Sequence, residues 1–189
     1  ARRRARLGQQ VDSPATARRP WAAATAMFDS ISQTLADPHA RHALFVHFPV
    51  ALGLLGVLPV LLLASAKFDS RRLSFLCLGW ALATMSALGL AAGAGEEAYE
   101  LVEAASPALD RVEDEALHRH EELGEGAWLW ALPSVLLAAA TLSRKPGLRQ
   151  GAGISLLLAN AGLGVFVAIA GHTGGELVYT HGLGVPDRA

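Results

Sequence analysis

The stretch that decides the fold is an uncharged run of 24 residues, ALFVHFPVALGLLGVLPVLLLASA, from Ala43 to Ala66. As an α-helix rising ~1.5 Å per residue it would be ~36 Å long, which exceeds the ~30 Å hydrocarbon core of a bilayer. Backbone groups in lipid must find their hydrogen bonds within the segment, so the run is expected to be helical. It therefore predicts a transmembrane helix.

Three further stretches are also free of Lys, Arg, Asp and Glu: Leu73–Gly95, Ala127–Leu142 and Gly151–Gly171. The middle one is short for a span, so its neighbours are expected to extend it. Only 17% of the chain is charged and 52% is apolar, whereas a soluble domain has ~25% charged residues. The sequence predicts an all-α fold, a four-helix transmembrane bundle, with spans at about 43–66, 73–95, 123–143 and 151–171.

Composition also excludes several functions. The single cysteine, Cys77, rules out an intrachain disulfide, a CxxC zinc site and a thioether-attached c-type haem. A net charge of −1 gives no support for nucleic-acid binding. The chain carries no Walker motif, nucleophile elbow or HExxH metalloprotease motif. If redox chemistry occurs, we expect an electron-relay subunit with no substrate of its own, and we assign no catalytic residue.

Residues 1–41 form an arginine-rich extension before the first span. Within it, Trp21, Ala24, Phe28, Ile31 and Leu35 recur at helical spacing after a proline at position 20. This pattern predicts an amphipathic helix over about 20–36. The helix could lie in the membrane interface, pack on a partner subunit or cover its own bundle, and the extension is interpreted as an addition for docking.

Loop charges predict the topology. Basic residues lie in both short loops, between spans one and two and between spans three and four, whereas the loop Glu96–Gly126 contains eleven acids. The positive-inside rule places short basic loops in the cytoplasm. We therefore predict a multi-pass membrane protein, with the acidic loop and both termini on the side opposite the cytoplasm.

Histidines near the ends of the spans are the candidate cofactor ligands. His47 lies five residues into the first span, and His172 directly follows the fourth. An ionisable residue at membrane depth indicates a functional site. Two neutral imidazoles from different helices can ligate a b-type haem, which makes His47, His118, His172 and His181 the candidate haem ligands.

The same end of the bundle could instead hold a single zinc, copper or iron ion. His118 and Glu122 are four residues apart, as are His172 and Glu176, so each pair would share a helix face. The candidate metal ligands are His47, His118, His120, Glu122, His172, Glu176 and His181.

Two runs carry a family resemblance: HALFVHFPVAL, from His42 to Leu52, and GHTGGELVYTHGLGV, from Gly171 to Val185. With a histidine in the loop before span three, they resemble the domain of unknown function 2231 family of bacterial four-helix membrane proteins. The resemblance covers about His42 to Val185. With the loop charges, it implies a multi-pass protein of the bacterial inner membrane whose acidic loop and termini lie in the periplasm. It implies that His47, His118 (or His120), His172 and His181 occupy the family-type positions.

Members of that family are sometimes joined to cytochrome c or Rieske-type modules, which implies a setting in membrane electron transfer. Two functions therefore stay open. One is an electron-transfer subunit that binds haem b or another metal ion. The other is a non-catalytic accessory or structural subunit of a larger respiratory or photosynthetic membrane complex. The expected partners are the lipid bilayer, other subunits of such a complex, and a c-type cytochrome or Rieske-type protein.

Overall fold

The computed structural model describes residues 20–105 and 109–183, and every regular element in these ranges is a helix. The all-α prediction is confirmed. The helices, in chain order, are α1 (Pro20–Ala36), α2 (Pro38–Leu55), α3 (Val57–Ser65), α4 (Arg71–Ala105), α5 (Arg111–Gly126), α6 (Trp128–Ala140) and α7 (Pro146–Tyr179).

Four helical segments are long and apolar enough to cross a bilayer, as predicted: Pro38–Ser65, Arg71–Ala104, Arg111–Ala140 and Pro146–Tyr179. The first combines α2 with α3, and the third combines α5 with α6. Each is longer than the ~20 residues that a bilayer requires. Their outward surfaces carry large apolar side chains such as Leu58 and Leu158, which suits contact with lipid.

The first span is interrupted at Gly56. The Gly56 N–H donates to the Gly53 carbonyl, one residue closer than in an α-helix, which leaves the Leu52 carbonyl to accept a hydrogen bond from Trp80 Nε1 at 2.9 Å. A glycine is required at this bend, because a Cβ on Gly56 would lie 2.5 Å from Asn160 Oδ1. The bend therefore ties α2 to α4 and α7.

The spans form a ring of neighbours. The α2 helix packs against α4 and α7, and α6 also packs against α4 and α7, so the first and third spans lie diagonally opposite each other. At Gly53 and Gly164 the backbones of α2 and α7 approach closely, because a Cβ on Gly164 would lie 3.3 Å from the Gly53 carbonyl oxygen. The core contains two apolar clusters, centred on Leu63 and Leu163.

The acidic segment 96–126, predicted as the loop between the second and third spans, is largely helical. The α4 helix continues to Ala105, and α5 begins at Arg111. A capping box in which Asp110 and Glu113 bond to each other's backbone N–H groups starts α5. Charged residues cannot enter the hydrocarbon core, but they can lie on a helix that extends beyond it. Hydropathy alone does not show whether such a segment is helical.

The chain divides into two units, residues 1–36 and 37–189. This boundary lies five residues before the predicted one, because α2 already begins at Pro38, where the Asp37 carboxylate caps its first backbone N–H groups. In the first unit, α1 covers Pro20–Ala36, the range expected for the amphipathic helix. Residues 1–19 and 184–189 lie outside the described residues.

Candidate functional site

The predicted ligands His47 and His118 are exposed and bond to their own helices. His47 Nδ1 lies 2.6 Å from the Ala43 carbonyl oxygen. His118 Nδ1 lies 3.1 Å from the Asp114 carbonyl oxygen, and its ring packs edge-on against that of Tyr99. Each imidazole is therefore held by a carbonyl of its own helix, and that of His118 also contacts a side chain of α4.

The other predicted ligands are also spread over this end of the bundle. His172 and Glu122 are exposed, and His181 follows the end of α7, where its backbone N–H donates to the Glu176 carbonyl. The Glu176 carboxylate accepts a hydrogen bond from Arg119 at 3.3 Å. Within residues 20–105 and 109–183, no ring contact joins any two of His47, His118, His172 and His181.

In the same ranges, no group of three or more His, Cys, Asp or Glu side chains is arranged to hold a metal ion. The four candidate haem ligands also form no facing pair of imidazoles there. The assignment of a haem to these four side chains therefore stays a prediction from the sequence.

The structure instead brings together His42 on α2 and His120 on α5, which belong to diagonally opposite spans. Their ring centroids are 6.2 Å apart, and the ring planes are nearly perpendicular, at 84°. His42 Nδ1 lies 2.9 Å from the Ala91 carbonyl oxygen on α4. His120 Nδ1 lies 3.1 Å from Thr173 Oγ1 on α7. The pair thus connects all four spans at one end of the bundle.

These partners determine the tautomer of each neutral ring. The Ala91 carbonyl can only accept, so His42 Nδ1 carries the proton. With its single proton donated to the Ala170 carbonyl, 3.0 Å away, the Thr173 hydroxyl accepts from His120 Nδ1. Both imidazoles consequently present an unprotonated Nε2.

An arginine precedes each of these histidines, and each arginine pairs with a glutamate of the next span. Arg41 on α2 bonds to Glu97 on α4. Arg119 on α5 bonds to Glu176 on α7 at 3.3 Å. The bundle thus has two halves, α2 with α4 and α5 with α7. In each half an Arg-His dipeptide attaches one helix to the other through an ion pair and an imidazole hydrogen bond. We call these two arrangements the Arg-His clasps.

A glycine lies against each ring. A Cβ added to Gly95 would lie 2.9 Å from His42 Cε1, and a Cβ added to Gly174 would lie 2.9 Å from His120 Cε1. Each glycine stands two residues before the glutamate of its clasp. The two halves of the bundle therefore use the same Gly-x-Glu and Arg-His elements in the same way.

His39 lies one helical turn before His42. Its Nε2 is buried without a hydrogen-bond partner, and its Nδ1 is 3.8 Å from Asp37 Oδ1. A buried polar atom without a partner is destabilising unless something outside the chain satisfies it. This atom is thus an unsatisfied polar group one helical turn from His42.

Sequence reasoning selected His120 but missed His42 and His39. The signal that could have identified His42 is the repetition of Arg-His at positions 41–42 and 119–120, matched by Gly-x-Glu at positions 95–97 and 174–176. Chemically, the pair offers two neutral nitrogen donors, a set that suits binding of a cation or a proton donor.

No family model, no curated protein and no solved structure matches the chain. The resemblance to the domain of unknown function 2231 family therefore stays a prediction from the two quoted runs of sequence.

Proposed function

We propose that the protein is an accessory subunit of a larger electron-transfer complex of the bacterial inner membrane, docked to a neighbouring subunit through α1. The observation that carries the proposal is the apolar surface of α1. Trp21, Phe28, Ile31 and Leu35 are 60%, 65%, 46% and 40% exposed. Large apolar side chains exposed along one face favour an interaction surface.

The spacing of this surface favours a helical partner. With the exposed Ala24, the four residues follow intervals of three, four, three and four positions. This is the a/d pattern by which one helix packs along another. We call these five residues the α1 seam.

The charges of α1 favour a protein partner over a lipid surface. Helices that lie in the membrane interface usually carry Lys or Arg on their polar face. Between Pro20 and Ala36 there is no basic residue, and Asp29 is the only charged one. Ser32 and Thr34 bond to carbonyl groups of the helix itself.

The electron-transfer setting is supported by the sequence resemblance, because members of that family are sometimes joined to cytochrome c or Rieske-type modules. The inner-membrane location and the periplasmic placement of the histidine end are supported by the two short basic loops. A haem b ligated by His47, His118, His172 and His181 has no support from the described contacts and is not part of the proposal.

The test is native purification in a mild detergent, followed by native electrophoresis and a reduced-minus-oxidised spectrum of the band. We expect the wild-type chain to migrate with haem- or iron–sulfur-containing subunits. The variant Phe28→Ser with Ile31→Ser should be released, whereas the control Ser30→Ala with Gln33→Ala on the polar face should remain. A photo-crosslinker at position 28 should reach one subunit of that complex.

Two results would contradict the proposal. One is a seam variant that stays in the complex. The other is a crosslinker at position 28 that labels only lipid, which would assign α1 to the membrane interface.

A further inference from the structure

We infer that His42 and His120 form a binding site for one divalent transition-metal ion of the Zn²⁺ and Cu²⁺ class. The inference is independent of the docking role proposed for α1, because it uses only residues of the four-span unit. It assigns a ligand to the place where, among the described residues, imidazoles from two different spans meet.

The separation of the rings suits a shared ion. An imidazole nitrogen binds such an ion at ~2.0 Å, so two rings that share one ion have centroids about 5 to 6 Å apart. The centroids of His42 and His120 are 6.2 Å apart. The two rings are therefore close enough for one ion to lie between them once each ring turns its Nε2 towards it.

The hydrogen bonds of the two rings are those of metal ligands. A metal-bound histidine usually donates its second ring N–H to a carbonyl or another acceptor, which fixes the tautomer and the ring orientation. His42 does so with the Ala91 carbonyl and His120 with the Thr173 hydroxyl. Both Nε2 lone pairs are then available before any metal arrives.

The Arg-His clasps keep carboxylates away from the ion. Glu97 and Glu176 are the acids of the clasps, and they pair with Arg41 and Arg119. Nitrogen donors without carboxylates select Zn²⁺, Cu²⁺ or Ni²⁺ over Mg²⁺ and Ca²⁺, which require oxygen ligands. The described residues supply no third ligand in binding geometry, so water fills the remaining positions of an open site.

The two Arg-His clasps hold the two ligands of the site in equivalent ways. Each half of the bundle provides one imidazole, held by its own clasp and packed on its own glycine, Gly95 or Gly174. Because the ligands come from diagonal spans, an ion between them crosslinks the two halves. Metal binding should therefore raise the free energy of unfolding of the bundle.

The experiment measures Zn²⁺ binding to the metal-stripped, detergent-purified full chain. We expect one Zn²⁺ per chain, with binding weakened roughly tenfold or more in His42→Gln and in His120→Gln. The matched controls are His47→Gln and His118→Gln, exposed histidines at the same end, which should bind as the wild type does. Thermal unfolding of each variant without metal reports whether it is folded.

Thr173→Val keeps the shape of the side chain but removes the acceptor for His120 Nδ1, so it serves as a second variant if a histidine change prevents folding. It should also weaken Zn²⁺ binding roughly tenfold. The inference is overturned if the wild type binds no Zn²⁺. It is also overturned if the control histidines matter as much as His42 and His120, or if Thr173→Val binds as the wild type does. Release of the seam variants from the complex is a separate readout, so either proposal can fail alone.

Discussion

His42 and His120 meet edge-on across the bundle, although 78 positions separate them in the chain and their spans lie diagonally opposite each other. Together with the contact of Tyr99 on α4 with His118 on α5, they join the two helix pairs through side chains at this end of the bundle. The hydrogen bonds from each ring to a different third helix make this contact a link among all four spans.

A side chain added at Gly56 should destabilise the folded protein. A Cβ there would lie 2.5 Å from Asn160 Oδ1, and Asn160 is buried and bonded to the Leu156 carbonyl. We expect Gly56→Ala to lower the free energy of unfolding by about 1–3 kcal/mol, the usual effect of overpacking. Gly79→Ala is the control, because Gly79 faces open space and alanine is the better helix former. Denaturation in detergent measures both, and equal stability of the two variants would contradict the close packing at Gly56.

The two clasps should differ in strength because their arginines differ in exposure. The Arg41 side chain is 22% exposed, whereas that of Arg119 is 62% exposed. We expect Arg119→Gln to cost about 0–1 kcal/mol, as for a surface ion pair, and Arg41→Gln to cost about 1–3 kcal/mol because it removes the charge-assisted hydrogen bond of a largely buried guanidinium. Salt should weaken the Arg119 pair more than the Arg41 pair. Free energies of unfolding measured at low and high salt test this order, and a larger loss in Arg119→Gln than in Arg41→Gln would contradict it.

The buried ring nitrogen of His39 should destabilise the folded protein. Its buried Nε2 has no partner, so replacing the ring with an apolar side chain removes an unsatisfied group. We expect His39→Leu to raise the free energy of unfolding by about 1 kcal/mol. The exposed His118 provides the control, where His118→Leu should change stability by less than about 0.5 kcal/mol. If His39→Leu is less stable than the wild type, the ring makes a favourable contact that the bonding pattern does not show.

The topology can be tested with single cysteines. The two basic loops lie at one end of the bundle, where Arg149 and Asp69 form a 2.7 Å ion pair. In a Cys77→Ala background, we expect Glu100→Cys to react with a membrane-impermeant maleimide applied to the periplasmic side. Arg144→Cys should react only after the membrane is permeabilised. The reverse labelling would place the histidine end in the cytoplasm.

The four spans were predictable because their signal is local. Long runs without charge, such as Ala43–Ala66, require a helix in lipid whatever their neighbours are. The acidic segment was not predictable in the same way. Hydropathy marks where a helix leaves the membrane, whereas the length of α4 beyond that point depends on caps and on packing with other helices.

The site was only partly predictable, since helix phase decides which histidine faces inward. His47 lies five positions after His42, which turns it about 140° around α2 at 3.6 residues per turn. The ring of His42 therefore bonds to α4, while that of His47 is exposed. The position of His47 within the apolar run made it the candidate, and only the packing of α2 against α4 and α7 shows that the half-buried His42 faces the neighbouring helices.

The electron paramagnetic resonance spectrum of the chain loaded with one equivalent of Cu²⁺ tests the histidine pair most directly. Coordination by both His42 and His120 predicts hyperfine structure from two imidazole nitrogens, reduced to one nitrogen in His120→Gln and unchanged in His118→Gln. A spectrum that is the same in the wild type, His42→Gln and His120→Gln would contradict the assignment, because the bound copper would then lie elsewhere.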